Sequence, residues 1–292
     1  MLAAVGTAMP ETLIPLVAIA FTRAAHSQDI GVGAILGAPF MLATLAMFVS
    51  GSALVAFRLQ KGRPLNPRVN SRIVSRDLVF FLGFYLAAIV AGIIHLKAVN
   101  LTLAPLLWIG YVYYVFLTFR AEGGLDEETQ ALYFHPSHLP ELPRLRWIAL
   151  QIAVSLATII LGARLFVGAV ATVADFIGLP ALVVSLLITP VATELPEKIN
   201  SVLWLRAGKD TLALGNITGA MVFQSVFPVS VGLLLTDWRL DTVSVSSAAL
   251  ALGAAALLLF WMRLRRTLAW WMLLLGGLWY SAFVIYAVAS SV

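Results

Sequence analysis

Nine apolar runs, each about as long as a membrane is thick, fill nearly the whole chain and leave little between them. They fall near 1–22, 30–57, 79–96, 99–118, 147–174, 177–205, 211–236, 243–262 and 268–291. A spanning helix needs roughly 20 mainly apolar residues, because each residue rises only about 1.5 Å through some 30 Å of hydrocarbon. Lipid offers no hydrogen bonds, so a spanning backbone must satisfy itself as a helix or a closed barrel. The alternating apolar and polar strands of a barrel are missing. A soluble domain of 292 residues is also excluded, since only 11% of residues are charged and the mean hydropathy is +0.96. The opening run has no basic n-region and reads as a span. Without cysteine there are no disulfides and no thiolate metal sites.

The net charge of +5 needs no nucleic-acid partner, because the basic residues gather in connections where they set topology. The stretch 58–77 holds Arg58, Lys61, Arg63, Arg68, Arg72 and Arg76, and more basic residues lie at 206–209, 263–266 and around the longest connection, 119–146. Nine spans put all four connections on one side, expected to be the cytoplasm, and leave the C-terminus outside. Arg164 lies within a span and is expected to pair inside the bundle or line a cavity, toward the Asp175 end of its helix. Trp147, Trp238, Trp261, Trp270, Trp271 and Trp279 lie near span ends and read as interfacial anchors. His135 and His138, in "HPSH", read as part of a solvated loop.

The chain repeats itself. "VGTAMPETLIP" (5–15) matches "VATELPEKINS" (191–201), with Glu11 aligned to Glu197, and "GVGAILGAPFML" (31–42) matches "ALGNITGAMVFQ" (213–224). The two Glu-bearing helices enter the membrane from opposite sides, the inverted-repeat plan of many secondary transporters. Pro10 and Pro196 cannot donate a backbone hydrogen bond, which frees the carbonyls of Gly6 and Ala192. Carbonyl, threonine hydroxyl and carboxylate at one depth make an all-oxygen cage of the kind hard cations such as Ca2+ occupy. Gly33, Gly37, Ala38, Gly215, Gly219 and Ala220 are expected to let the neighbouring helices approach closely.

The pairing of "TELPE" with "LALGNITGA" resembles the alpha-repeats of the sodium/calcium exchanger family, within the cation/calcium antiporter superfamily. The resemblance implies an all-α polytopic membrane protein built from two inverted five-helix halves, with about nine of ten expected spans present. It divides the chain into 1–118, a connecting loop 119–146, and 147–292. It implies Glu11 and Glu197 as central cation ligands, Thr7 and Thr193 as supporting ones, and Gln224 where the family has a carboxylate or amide. Glu194 is a further candidate ligand, or else the partner of Lys198 one turn on. Asn216 could ligate, cap or pack. Family serine and amide positions are Ala8, Glu194, Ala38, Pro39, Ala220 and Met221 here, so ion selectivity does not transfer. Lys198 would offset one negative charge if it reaches the site. The first repeat has only ten residues before Glu11, so the family's first helix is expected to be missing through a late start.

The implied function is exchange of Ca2+ against Na+ or H+ by alternating access in the cell membrane, without a cofactor. The partners are inorganic cations and lipid, with no nucleic acid. The alternatives are a degenerate, non-transporting relative with a structural ion site and an intramembrane enzyme. The enzyme would need a nucleophile or metal constellation of which Ser201 near Lys198 is the only crude trace.

Overall fold

The computed structural model describes residues 9–22, 26–121 and 145–291. Among them there is no strand. Helix α1 (Met9–Leu16) loosens into a π-helical turn (Val17–Phe21). Helix α2 (Ser27–Met41), a π turn (Leu42–Ala46) and α3 (Met47–Lys61) form one long rod. Then come α4 (Ser71–Ile94), α5 (Lys97–Ala121), α6 (Leu145–Ile177) and α7 (Ala181–Arg206). Helices α8 (Asp210–Gln224) and α9 (Phe227–Leu235) make a second, broken rod, followed by α10 (Thr242–Arg265) and α11 (Trp270–Ala289). With each rod counted once, the described residues form nine helical segments, which fall on the nine apolar runs of the sequence. Seven of these segments, the two rods among them, are long and apolar enough to cross a membrane, and Pro10–Phe21 and Ala181–Glu194 are shorter apolar stretches.

One boundary moves. The charged stretch 71–77, expected in a connection, forms the first two turns of α4. Asn70 caps it, its side chain accepting from the Arg72 N–H at 3.1 Å. The charges hid the helix start because the apolar pattern begins only at Leu78.

Proline shapes both halves at matching places. Pro39 precedes the π turn, where the Thr44 hydroxyl bonds the Phe40 carbonyl. In the aligned position of the second half the rod breaks outright at Ser225–Val226, and Pro228 has no N–H to give the Gln224 carbonyl. In α1, Pro15 likewise has no N–H to give to the turn before it, and the turn beyond it widens to π geometry.

The packing carries the pseudo-twofold relation. Helix α1 packs on α2 as α7 packs on α8, α4 on α8 as α10 on α2, α5 on α9 as α11 on α3, and α4 on α5 as α10 on α11. One pair lacks its counterpart. Helices α2 and α7 make the most extensive contact in the molecule, whereas α8 makes no comparable contact with the described part of α1. Among the described residues the expected close approach is therefore found on one side. A Cβ on Gly33 would lie 2.5 Å from the Leu182 carbonyl oxygen, and one on Gly37 would lie 2.2 Å from that of Leu186. At Gly215 and Gly219 the nearest described atoms are Ile73 Cγ2 at 3.9 Å and the Tyr114 hydroxyl at 3.8 Å, so no such approach is made there among the described residues. The stretch of α7 that meets Gly33 and Gly37 aligns with positions ahead of Met9, outside the described residues.

Three of the four basic connections meet at one end, and the fourth, 119–146, lies almost wholly outside the described residues. Arg63 pairs with Asp210, the Arg68 N–H donates to Asp210 Oδ2 at 2.7 Å, and the Asn70 N–H donates to Thr211 Oγ1 at 2.9 Å. The Trp270 N–H reaches Asn66 Oδ1 at 3.4 Å. At the other end Lys97 Nζ caps α9, donating to the carbonyls of Leu234 at 3.3 Å and Thr236 at 2.9 Å.

Two sequence expectations are overturned. Trp238 is not an interfacial anchor. It is 1% exposed, its Nε1 donates to the Ala88 carbonyl at 2.9 Å, and its ring lies where a side chain on Gly232 would be. Its φ of +46° turns the chain into the bundle after α9. Trp238→Ala should cost about 3–5 kcal/mol through the cavity it leaves, read as a lowered thermal unfolding midpoint in detergent. Arg164 does not pair inside the bundle. It is exposed, as is Asp175, and no ion pair joins them among the described residues. Helix α6 buries only the stripe Ala163, Val167, Val170 and Ala174, and residue 164 projects about 100° away from it.

Candidate functional site

The acidic residues of both repeats lie on helices of the bundle interior. Glu11 stands in the first turn of α1 and is 5% exposed. Helix α1 lies against α2, α6 and α9 and touches α7. On α7, Glu194, Lys198 and Ser201 are all buried. Their spacing of four and then three residues puts them on one face. Lys198 Nζ lies 3.4 Å from Glu194 Oε2, so the pairing left open by the sequence is made. Further along that face, Asn216 of α8 donates from Nδ2 to Ser201 Oγ at 3.5 Å. Asn216 thus joins the α7 stripe to α8.

The other predicted ligands sort as follows. Thr193 donates its hydroxyl proton to its own helix, at 3.1 Å to the Thr189 carbonyl and 3.4 Å to that of Pro190, and keeps oxygen lone pairs for a cation. Gln224 is 2% exposed at the end of α8, and its Oε1 has no hydrogen-bond partner among the described residues. Glu197 lies on the α7 backbone, but its side chain, like that of Pro196, is outside the description. Thr7, His135 and His138 lie outside the described residues. Among those described, no group of three or more acidic or histidine side chains converges as a metal site.

The first half of α7 is fixed against α2 by polar as well as steric contacts. Ser185 Oγ donates to the Ile30 carbonyl at 2.6 Å and lies 2.9 Å from Thr189 Oγ1. Pro190 has no N–H for the Leu186 carbonyl, and Gly37 of α2 packs directly on that oxygen. Two helices with proline-freed carbonyls therefore cross with no side chain between them at Gly37.

The sequence reading missed one buried carboxylate. Asp77 of α4 is 2% exposed. It accepts from Thr218 Oγ1 of α8 at 2.8 Å and from the Tyr114 hydroxyl of α5 at 3.1 Å, with Arg76 Nη2 at 3.4 Å. The available signal was the acid heading "DLVFFLGFYL" (77–86), masked by assignment of that stretch to a basic loop.

Comparison with known proteins agrees with this arrangement. The family model described as "Sodium/calcium exchanger protein" matches residues 147–290. The inner membrane protein YrbG of Escherichia coli (strain K12) is 27% identical over 274 residues, which is 89% of this chain and 76% of that protein. Among solved structures, the H+/Ca2+ exchanger CAX superposes with a TM-score of 0.71 at 15% identity, covering 98% of this chain and 77% of that one. The sodium-calcium exchanger NCX_Mj, in crystals soaked with Na+ and Sr2+, superposes with a TM-score of 0.58 at 20% identity, covering 99% and 85%.

Proposed function

Because the chain belongs to the sodium/calcium exchanger family, we propose that it is a secondary antiporter that exchanges Ca2+ against Na+ or H+. A midplane site is formed where the first repeat, 1–118, meets the second, 147–292, across the connection 119–146. The observation that carries this reading is the burial of Glu11 and Glu194 on α1 and α7, the aligned proline-bearing helices of the two halves. Buried intramembrane carboxylates are costly and serve transport far more often than packing. Glu11 and Glu197 are the central ligands. Oxygens of Thr7, Thr193 and Gln224 complete the cage, with Glu194 and Asn216 at its edge. The hard, all-oxygen donor set suits a divalent cation of calcium type. Alternating access follows from one half rocking against the other around this crossing. The end gathering Arg63, Arg68 and Asp210 faces the cytoplasm by the positive-inside rule, which leaves the C-terminus outside.

The test is radiolabelled calcium uptake into proteoliposomes under an outward Na+ gradient, an outward H+ gradient, or none. Uptake should follow one of the two gradients, and that gradient names the coupling ion. Flux that ignores both would overturn exchange. Binding without flux would favour a relative that keeps the ion as a structural element, a reading supported by the lysine already paired in the site.

A further inference from the structure

Lys198 is the feature that the exchange reading does not absorb. Its side chain is 6% exposed, yet its ammonium has no hydrogen-bond acceptor among the described residues and meets only Glu194, at 3.4 Å. Charge-assisted hydrogen bonds close to about 2.7–2.9 Å, so this is a loose ion pair. Such a pair is a poor source of stability, because the desolvation of both ions rivals their attraction. The direction of the side chain matters too. Residue 198 lies eight residues, about 12 Å, from the Arg206 end of α7. A lysine reaching for water would extend toward that end. Its ammonium instead turns back one turn toward Glu194, into the interior of the bundle.

We propose that Lys198 is a built-in monovalent cation. It occupies beside Glu194 a position that a Na+ or K+ ion would otherwise fill, and it thereby sets the number of ions the site binds. This inference rests on the calcium-exchange reading above. Glu11, Glu194 and Glu197 bring three negative charges, and Lys198 leaves two, the match for one divalent cation. Without the ammonium, one calcium ion leaves an excess of buried negative charge, which is unfavourable unless a second cation enters. Lys198 is then a charge-setting residue that need not touch the transported ion.

The experiment is equilibrium binding of radiolabelled calcium to the purified protein in detergent, with potassium chloride compared against choline chloride at equal ionic strength. In the unaltered protein, potassium should leave calcium affinity unchanged or weaken it by competition. In Lys198→Gln, potassium should tighten calcium binding by about tenfold, the equivalent of 1.4 kcal/mol. The double variant Glu194→Gln/Lys198→Gln restores two net negative charges and should recover most of the calcium affinity that Glu194→Gln loses, with no potassium response. Glu194→Gln alone leaves one net charge and should bind about tenfold or more weakly. That comparison decides the matter if Lys198→Gln does not fold. Calcium binding in Lys198→Gln without a potassium response, or a double variant no better than Glu194→Gln, overturns the inference and leaves the exchange reading standing. Absence of calcium binding by the unaltered protein overturns both.

Discussion

Glu11→Gln should reduce calcium flux by about 100-fold or more while leaving the protein expressed and monodisperse. Glutamine keeps the shape of glutamate and one ligating oxygen but removes the charge. Loss of even an outer partner of a metal ligand costs roughly 10- to 100-fold in affinity, so loss of a charged ligand lies at or beyond the upper end. Folding is not expected to suffer, because a buried amide is cheaper to desolvate than a carboxylate. Glu197→Gln should behave alike, since the two residues align in the repeat. The check is tracer uptake by reconstituted variants at matched protein content. Flux within a factor of a few of the unaltered protein in either variant would remove that residue from the site.

The second large effect is structural. Gly37→Ala should lower stability by about 3 kcal/mol or more, at or above the top of the usual overpacking range. The new Cβ would meet the Leu186 carbonyl oxygen at 2.2 Å and Pro190 Cγ at 2.8 Å. Both belong to a helix that cannot shift locally, because Ser185 also ties it to the Ile30 carbonyl. Gly219→Ala is the matched control. It occupies the aligned position of the other half, and its Cβ would meet nothing closer than 3.8 Å among the described residues. There the gain in helix propensity, about 0.8–1 kcal/mol, should dominate and stabilise slightly. Thermal unfolding of the two variants in the same detergent should therefore move in opposite directions. Equal behaviour would mean that the asymmetry between the α2–α7 contact and its absent counterpart is not energetic.

What could be read in advance followed from strong local chemistry. The spans were legible because lipid demands long apolar helices, and the repeat was legible because proline, threonine and glutamate recur at fixed spacing. The start of α4 was not, because Arg72 and Arg76 looked like loop residues, and Asp77 was lost with them. Trp238 and Arg164 show the same limit from opposite sides. A tryptophan near a span end is an anchor or a plug according to whether a glycine such as Gly232 opens a slot for it. An arginine within a span is inside or outside according to which stripe of its helix is buried. Neither choice is written in the residue itself. For Glu194 and Lys198 the spacing allowed a pair, and only the packing of α7 decided that both charges face the interior.

In the proposed antiporter one cation is held jointly by the two halves. Equilibrium calcium binding to purified protein tests it most directly, comparing the unaltered chain with Glu11→Gln and Glu197→Gln. One calcium ion should bind per chain, and each single variant should lose it alike. Full binding retained in Glu11→Gln, with loss only in Glu197→Gln, would place the site in the second half alone and contradict it.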